Sequence, residues 1–309
     1  MFDKILFIDQ SHPILVEQLQ EAGFECHFHY KTSKQELEAR LPNFVGVVLR
    51  SRIQIDQTFL NAGTNLKFIA REGVGVEHID VEYAEAKGIH VLTSPEGSQD
   101  TVGEHTIGLL LCLLNHLGRA DRQIRAGQWN RESNRAIELK GKTVGIIGYG
   151  NMGKSLAKKL SGFEATVIAY DKYKINYGDE FARAVDKATL FEESDIVSLH
   201  IFYEPDNHYF VNDAFLSSFK KDIFVINTAR GLVLNTADLV KHLKTGKVKG
   251  AALDVIEYEE QSFELLKTTA PPAPFQYLLE SDQVILSPHI AGWSFESKKG
   301  MGACWRKKL

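Results

Sequence analysis

Gly148-Tyr149-Gly150-Asn151-Met152-Gly153 is the segment whose residue types and spacing point most directly to chemistry. It follows the apolar run Val144-Gly145-Ile146-Ile147 and opens a helical stretch, the strand–turn–helix context in which G-x-G-x-x-G cradles a pyrophosphate. Gly148 permits the tight turn, Gly150 removes the Cβ that would block the phosphates, and Gly153 lets helix and strand pack closely. The helix N-terminus supplies N–H donors for the anion. With Lys154 and Ser155 the same residues also satisfy G-x-x-x-x-G-K-S, the phosphate loop of nucleoside triphosphatases. Asp171 arbitrates. It closes the run Thr166-Val167-Ile168-Ala169-Tyr170, about 20 residues past the turn, where a dinucleotide fold places the carboxylate that binds the adenosine ribose. A triphosphatase has no use for an acid there, although Ala251-Ala252-Leu253-Asp254 resembles its magnesium-binding strand end. A carboxylate at 171 bonds a 2′-hydroxyl and repels a 2′-phosphate, so the expected cofactor is NAD rather than NADP, with Lys172 and Lys174 softening the preference.

These residues need a frame, and the sequence supplies one. Short β-rich runs (Lys4 to Asp9, Phe24 to His29, Phe44 to Leu49, Leu66 to Ala70, Ile89 to Leu92) alternate with helical candidates such as Pro13 to Ala22 and Val81 to Lys87. A second series starts at Thr143 and continues through Ala165 to Tyr170, Asp195 to His200, Asp222 to Asn227, Gly250 to Asp254 and Val284 to Ser287. Such alternation predicts parallel sheets covered on both faces, here two doubly wound ones. Between them, Thr101 to Arg125 has apolar residues at helical spacing without a Gly-Pro break, which predicts one long helix. Its run Ile107 to Leu114 is apolar enough to suggest that the helix 104–117 forms a homodimer interface. Thr268 to Phe275, with three prolines, reads as an irregular surface loop.

Composition excludes several classes. The 309 residues suit two domains, and 44% hydrophobic with 25% charged residues is the balance of a globular chain. A net charge of -4 offers no broad basic surface to nucleic acid. The apolar run Ile107 to Leu114 is far short of a bilayer span. Cys26, Cys112 and Cys304 form no disulfide framework, and no glycosylation sequon occurs, so the expected setting is the cytoplasm, without a membrane or nucleic-acid partner. His27 and His29 share one face of a predicted strand, but no third ligand accompanies them, and no metal is expected.

Taken in order, Val48-Leu49-Arg50-Ser51-Arg52, Arg71-Glu72-Gly73-Val74-Gly75-Val76, Val102-Gly103-Glu104-His105-Thr106, the glycine turn, Asn227-Thr228-Ala229-Arg230-Gly231, Ala252-Leu253-Asp254-Val255 and Ser287-Pro288-His289-Ile290-Ala291-Gly292 resemble the D-2-hydroxyacid dehydrogenases. This family includes D-3-phosphoglycerate dehydrogenase, and the resemblance covers nearly the whole chain. It implies a flavodoxin-like substrate domain (1–98 plus 291–309) with an inserted Rossmann NAD-binding domain (99–290). It further implies that Arg230 holds the substrate carboxylate, that His289 exchanges the hydroxyl proton, and that Glu259 is the acid partnering His289. Chemistry accounts for each type. An imidazole serves as base and acid near neutral pH, a carboxylate fixes its tautomer, and a guanidinium fork matches a carboxylate. The resemblance places a second carboxylate anchor at the Val74 and Gly75 amides, with Arg50 and Ser51 nearby. It adds Asn151, Met152, His200, Thr228, Ala229, Asp254 and Gly292 to the glycines and Asp171 as cofactor contacts.

The expected reaction is hydride transfer between nicotinamide and C2 of a small D-2-hydroxy acid, 3-phosphoglycerate or a similar acid, with Arg50, Arg52 or Arg71 holding a distal phosphate. The alternatives are a glyoxylate or hydroxypyruvate reductase and, in a different class, an NAD-sensing corepressor-like scaffold. The match departs from the family at Glu260, where proline is usual, and at Phe202 and Asn207, where proline and threonine are common. It departs again at Gly300 and Gly302, which interrupt the pattern of a closing helix. Lys298, Lys299, Arg306, Lys307 and Lys308 read as solvated charges.

Overall fold

The computed structural model describes residues 3–259 and 270–308. Among them the chain forms two compact units, one comprising residues up to 99 and from 293 onward, the other running from 100 to 259 and from the described residue 270 to 292.

The first unit is built on β1 (Lys4–Phe7), β2 (Glu25–Phe28), β3 (Gly46–Leu49), β4 (Phe68–Arg71) and β5 (His90–Thr93), all parallel, in the order β2-β1-β3-β4-β5. Helices cover both faces, so the central strands are apolar throughout. Successive residues of β1 show why: Ile5 and Phe7 pack with Leu15, Phe68 and Trp305 on one side, while Leu6 and the following Ile8 pack with Leu37, Phe59 and Leu60 on the other. Helix starts follow local chemistry. Ser33 and Glu36 form a reciprocal capping box ahead of the helix Lys34–Arg40, and Asp56 and Asp80 cap the helices Gln57–Ala62 and Val81–Ala86.

The second unit contains β6 (Thr143–Ile147), β7 (Thr166–Tyr170), β8 (Arg183–Ala184), β9 (Ile196–Leu199), β10 (Ile223–Asn227), β11 (Val248–Leu253) and β12 (Val284–Leu286). Their order, β12-β11-β10-β9-β6-β7-β8, is again parallel throughout and reverses direction between β6 and β9. Ligands of such sheets bind beyond the carboxyl ends of the strands at that switch. Gly148 follows β6 and His200 follows β9, and the His200 amide donates to the Ile147 carbonyl at 2.8 Å, which brings the two strand ends together.

Three expectations about helices need correction. The stretch 101–125 is two helices, Gln99–Leu114 and Leu117–Arg125, broken where His116 takes a left-handed φ of 52° and the Asn115 side chain bonds the Leu111 carbonyl. Within the first, Leu109, Leu110, Leu113 and Leu114 are buried in the unit's own core, while Ile107, Leu111 and Cys112 of the same run are half-buried. The glycines at 300 and 302 do not interrupt their helix, which runs unbroken over Phe295–Ala303. They let it approach its neighbours: a Cβ on Gly300 would lie 2.8 Å from the Gly97 carbonyl oxygen, and one on Gly97 would lie 2.2 Å from the Met301 nitrogen. The expected loop 268–275 is helical from Ala273 onward, because Pro272 and Pro274 flank its first residue, where a missing N–H costs nothing. Its residues 268 and 269, like Glu260, lie outside the described residues. Lys308 is also more than a solvated charge, since its Nζ meets Glu96 at 2.8 Å and the Thr93 carbonyl at 2.7 Å.

Candidate active site

The glycine turn has the geometry its spacing implies. Gly148 has φ +90°, and a Cβ there would lie 2.6 Å from the His200 carbonyl oxygen. A Cβ on Gly153 would strike the Gly148 carbonyl oxygen at 2.3 Å, so this position lets helix Asn151–Leu160 sit tightly on the turn. Gly150 is different: nothing lies within 4 Å of its added Cβ, and no side chain caps the helix it begins. That combination leaves open space in front of helical N–H donors, which suits a pyrophosphate. Asn151 is exposed there and Met152 half-buried.

Asp171 ends β7 as a hydrogen-bond hub. Its Oδ2 accepts from the Tyr149 amide at 2.9 Å, and its Oδ1 from the amides of Tyr173 and Lys174 at 3.0 and 3.2 Å. The carboxylate is thereby fixed beside the turn, at the edge of a cavity of about 260 Å³ that Gly148, Gly150, Tyr170, Ile201 and Phe202 help to line. His200 lines the same cavity. Its Nε2 is paired with the Ser198 hydroxyl at 2.8 Å, and burial pushes its pKa down to about 4, so the ring is neutral. Asn207, one of the departures from the family pattern, lines the cavity too, as do Tyr173 and Phe210, which sequence reasoning did not single out. The signal available for Tyr173 and Phe210 was position alone, in the segments that follow β7 and β9.

At the other edge of the switch, β10 runs into Thr228, Ala229 and Arg230. The Asn227 side chain holds this turn by accepting from the Ala229 amide and donating to the Arg230 carbonyl. Thr228 is buried with its hydroxyl 3.1 Å from that of Thr106. Arg230 Nη1 donates to the Ala229 carbonyl at 2.7 Å. Gly231 is required next, because a Cβ would lie 2.1 Å from the backbone of Ile256. The Arg230 turn is thus pressed against the segment that carries Glu259.

Glu259 and His289 meet. Glu259 Oε2 lies 2.6 Å from His289 Nδ1, and its Oε1 accepts from the Ile256 amide at 2.5 Å, which orients the carboxylate. His289 itself has a left-handed φ of 54°, a conformation that costs a residue with a Cβ about 1 kcal/mol. Asp254 sustains it. The Asp254 carbonyl accepts from the His289 amide at 2.8 Å, Oδ1 accepts from the Ser287 hydroxyl and the Ile290 amide at 2.6 and 2.9 Å, and Oδ2 accepts from the Ala291 amide at 2.7 Å. Burial works against the Asp254 charge, but the hydrogen bonds from His105, Ser287 and the two amides outweigh it and hold the carboxyl below its ordinary range. The Asp254 side chain is fully buried, and the contacts it shows are with this loop and His105. Gly292 closes the unit.

Arg50, Ser51, Val74 and Gly75 belong to the first unit, following the carboxyl ends of the adjacent strands β3 and β4. The Arg50 guanidinium lies 4.2 Å over the Trp293 ring, and its amide donates to Asp9. Gly73, at φ +144°, leaves room for the Arg71 side chain, whose Nη1 donates to the Glu72 carbonyl. Val74 is exposed beyond it. Arg52 is turned inward, donating to the carbonyls of Ile8, Thr32 and His29.

Residues 107–291 match the model of the D-isomer specific 2-hydroxyacid dehydrogenases, NAD binding domain. The chain belongs to this family. It is 33% identical over 301 residues to a D-3-phosphoglycerate dehydrogenase of Archaeoglobus fulgidus, covering 97% of this chain and 55% of that protein, so it spans about half the length of that relative. With a hydroxypyruvate reductase of Thermotoga maritima it shares 36% identity over 87% of this chain and 85% of the other. Among solved structures, a D-lactate dehydrogenase of Aquifex aeolicus complexed with NAD and lactic acid superposes with a TM-score of 0.80 at 27% identity, over 99% of this chain and 94% of that one. NAD is the cofactor of the family's matched domain, and the open space at Gly150, the helix N-terminus behind it and the fixed Asp171 carboxylate fit that group.

Proposed function

We propose that the chain is an NAD-dependent dehydrogenase that interconverts a small D-2-hydroxy acid and its 2-keto acid. The 2.6 Å contact between His289 Nδ1 and Glu259 Oε2, beside the Arg230 turn, carries this reading. NAD, held by the glycine turn and Asp171, would supply the hydride acceptor or donor. Glu259 occupies Nδ1 and fixes the ring, so the proton exchanged with the substrate hydroxyl travels on Nε2 of His289. Arg230 receives the substrate carboxylate and polarises the adjacent carbonyl. Gly148, Gly150, Asn151, Met152 and Gly153 receive the pyrophosphate, and Asp171 the adenosine ribose. His200, Thr228, Ala229, Asp254 and Gly292 shape the remainder of the cofactor site, and Val74, Gly75, Arg50 and Ser51 are the further residues assigned to substrate. His289→Asn should lower kcat by about 10² to 10⁴ with cofactor binding retained. Unchanged turnover would reject the assignment.

Substrate choice lies between 3-phosphoglycerate and an unphosphorylated acid such as glyoxylate or hydroxypyruvate. The structure's arginines favour the second. Arg52 is committed to three carbonyls and lies 3.6 Å from Asp9, Arg71 is bonded to the Glu72 carbonyl, and the charge of Arg50 lies near the buried Glu72 carboxyl. A substrate panel followed by NADH absorbance tests this, and a clear preference for the phosphorylated acid would reverse it. Homodimerisation through the segment 104–117 belongs to the same proposal, with the half-buried Ile107 and Leu111 and the exposed Leu117 on its surface and light scattering at micromolar concentration as its test.

A further inference from the structure

His105 is supplied by the helix Gln99–Leu114, far along the chain from the Ser287–Gly292 loop, yet its Nε2 lies 3.1 Å from Ser287 Oγ and 3.5 Å from Asp254 Oδ1. Ser287 Oγ already donates its single proton to Asp254 Oδ1 at 2.6 Å. A hydroxyl has one proton and two lone pairs, so the short contact with His105 is one in which Nε2–H donates and Ser287 accepts. The result is a directed chain, from the His105 N–H to the Ser287 hydroxyl to the Asp254 carboxylate, ending on the residue whose carbonyl and carboxylate grip the amides of His289, Ile290 and Ala291.

The helix is placed to deliver this contact. Gly103 lets it approach the helix Asn151–Leu160, because a Cβ there would lie 2.7 Å from Ser155 Oγ. One turn on from Val102, Thr106 bonds the Val102 carbonyl and meets Thr228. The His105 side chain keeps 24% of its exposure, which marks it as more than core filling. Asp254, by contrast, is fully buried, and a buried carboxylate leaves its loop in one arrangement only while its donors stay in place.

We propose that His105 is a positioning residue for His289, acting through Ser287 and Asp254 to hold the left-handed backbone on which the catalytic imidazole stands. The proposal rests on the dehydrogenase reading for its kinetic consequence, though not for its structural one. Displacing a reacting group by an ångström costs turnover while leaving remote binding energy intact.

The test compares His105→Phe, His105→Gln and Ser287→Ala in the full chain. The first readout is the low-field proton resonance of the His289 Nδ1–H bonded to Glu259, assigned by its disappearance in His289→Asn. The second is kcat and KM with glyoxylate or hydroxypyruvate and NADH. His105→Phe and Ser287→Ala should weaken the resonance and lower kcat about tenfold or more, with KM for NADH within about twofold. His105→Gln, whose amide nitrogen reaches the place of Nε2, should restore both. An unaltered resonance and kcat in His105→Phe, or a His105→Gln variant as damaged as the Phe one, would overturn the proposal. Should the wild-type chain reduce no 2-keto acid, the dehydrogenase reading fails, and the resonance still decides the positioning.

Discussion

His200 makes the cofactor domain sensitive to acid, by an amount that can be calculated. Its ring stands half-buried beside the glycine turn, with Nδ1 buried and lacking a hydrogen-bond partner, and burial lowers its pKa from 6.5 to about 4. The unfolded chain therefore binds this proton more readily than the folded one. Stability rises with pH across the window from 4 to 6.5 and falls as pH drops through it. The complete gap converts to about 3 kcal/mol, of which about 2 kcal/mol is lost between pH 7 and pH 5. Replacing His200 with Gln keeps a polar side chain of similar reach beside Ser198 and abolishes the titration. Urea unfolding of the two proteins, followed by circular dichroism at pH 7, 6 and 5, should show the wild type losing about 2 kcal/mol more than the variant over that range. A difference between the two proteins that stays constant with pH would refute the reasoning. His78, buried in the first unit and likewise depressed to about 4, supplies an independent repeat through His78→Gln.

Catalytic efficiency with NAD should exceed that with NADP at least tenfold, about 1.4 kcal/mol. Asp171→Ala should narrow that gap and also raise KM for NAD, because the Tyr149 amide of the glycine turn and the amides of Tyr173 and Lys174 lose their acceptor. Gly97→Ala places a methyl 2.2 Å from a backbone nitrogen that has nowhere to move, and thermal unfolding should show a loss of about 1 to 3 kcal/mol. Trp305→Ala empties the centre of the first unit's core and should cost about 3 to 5 kcal/mol by the same measurement.

What the sequence made legible was local. β1, β3, β6, β9 and β10 are short runs apolar on both faces, and a strand buried between helix layers must look like that. The glycine turn and Asp171 were readable because each position answers a steric or electrostatic demand of a single βαβ unit. The break at His116 was not, since no Pro marks it, Gly118 falls inside the second helix and the left-handed residue is a histidine. Gly300 was misjudged for a related reason: helix propensity counts a glycine against the helix, whereas here the gain is the close approach of Gly97, a neighbour some two hundred residues away that no local pattern shows. The pairing of Glu259 with His289 came through resemblance, and the role of His105 needed the folded contact between residues 182 apart.

Trp305 has no exposed surface and packs with Ile5, Phe7, Leu15 and Phe68, all from the opening of the chain. On a ribosome β1 and β4 must therefore wait for an indole made only after the whole segment 100–292. The segment 100–292 emerges in between, with its own strands and its own apolar cores, and can close while the first sheet still lacks one of its packing partners. Until the indole arrives, the faces of β1 and β4 that it covers are open to other chains. The uncovered faces of β1 and β4 are then the surface of the nascent chain that most needs shielding, although both strands are synthesised before the segment 100–292.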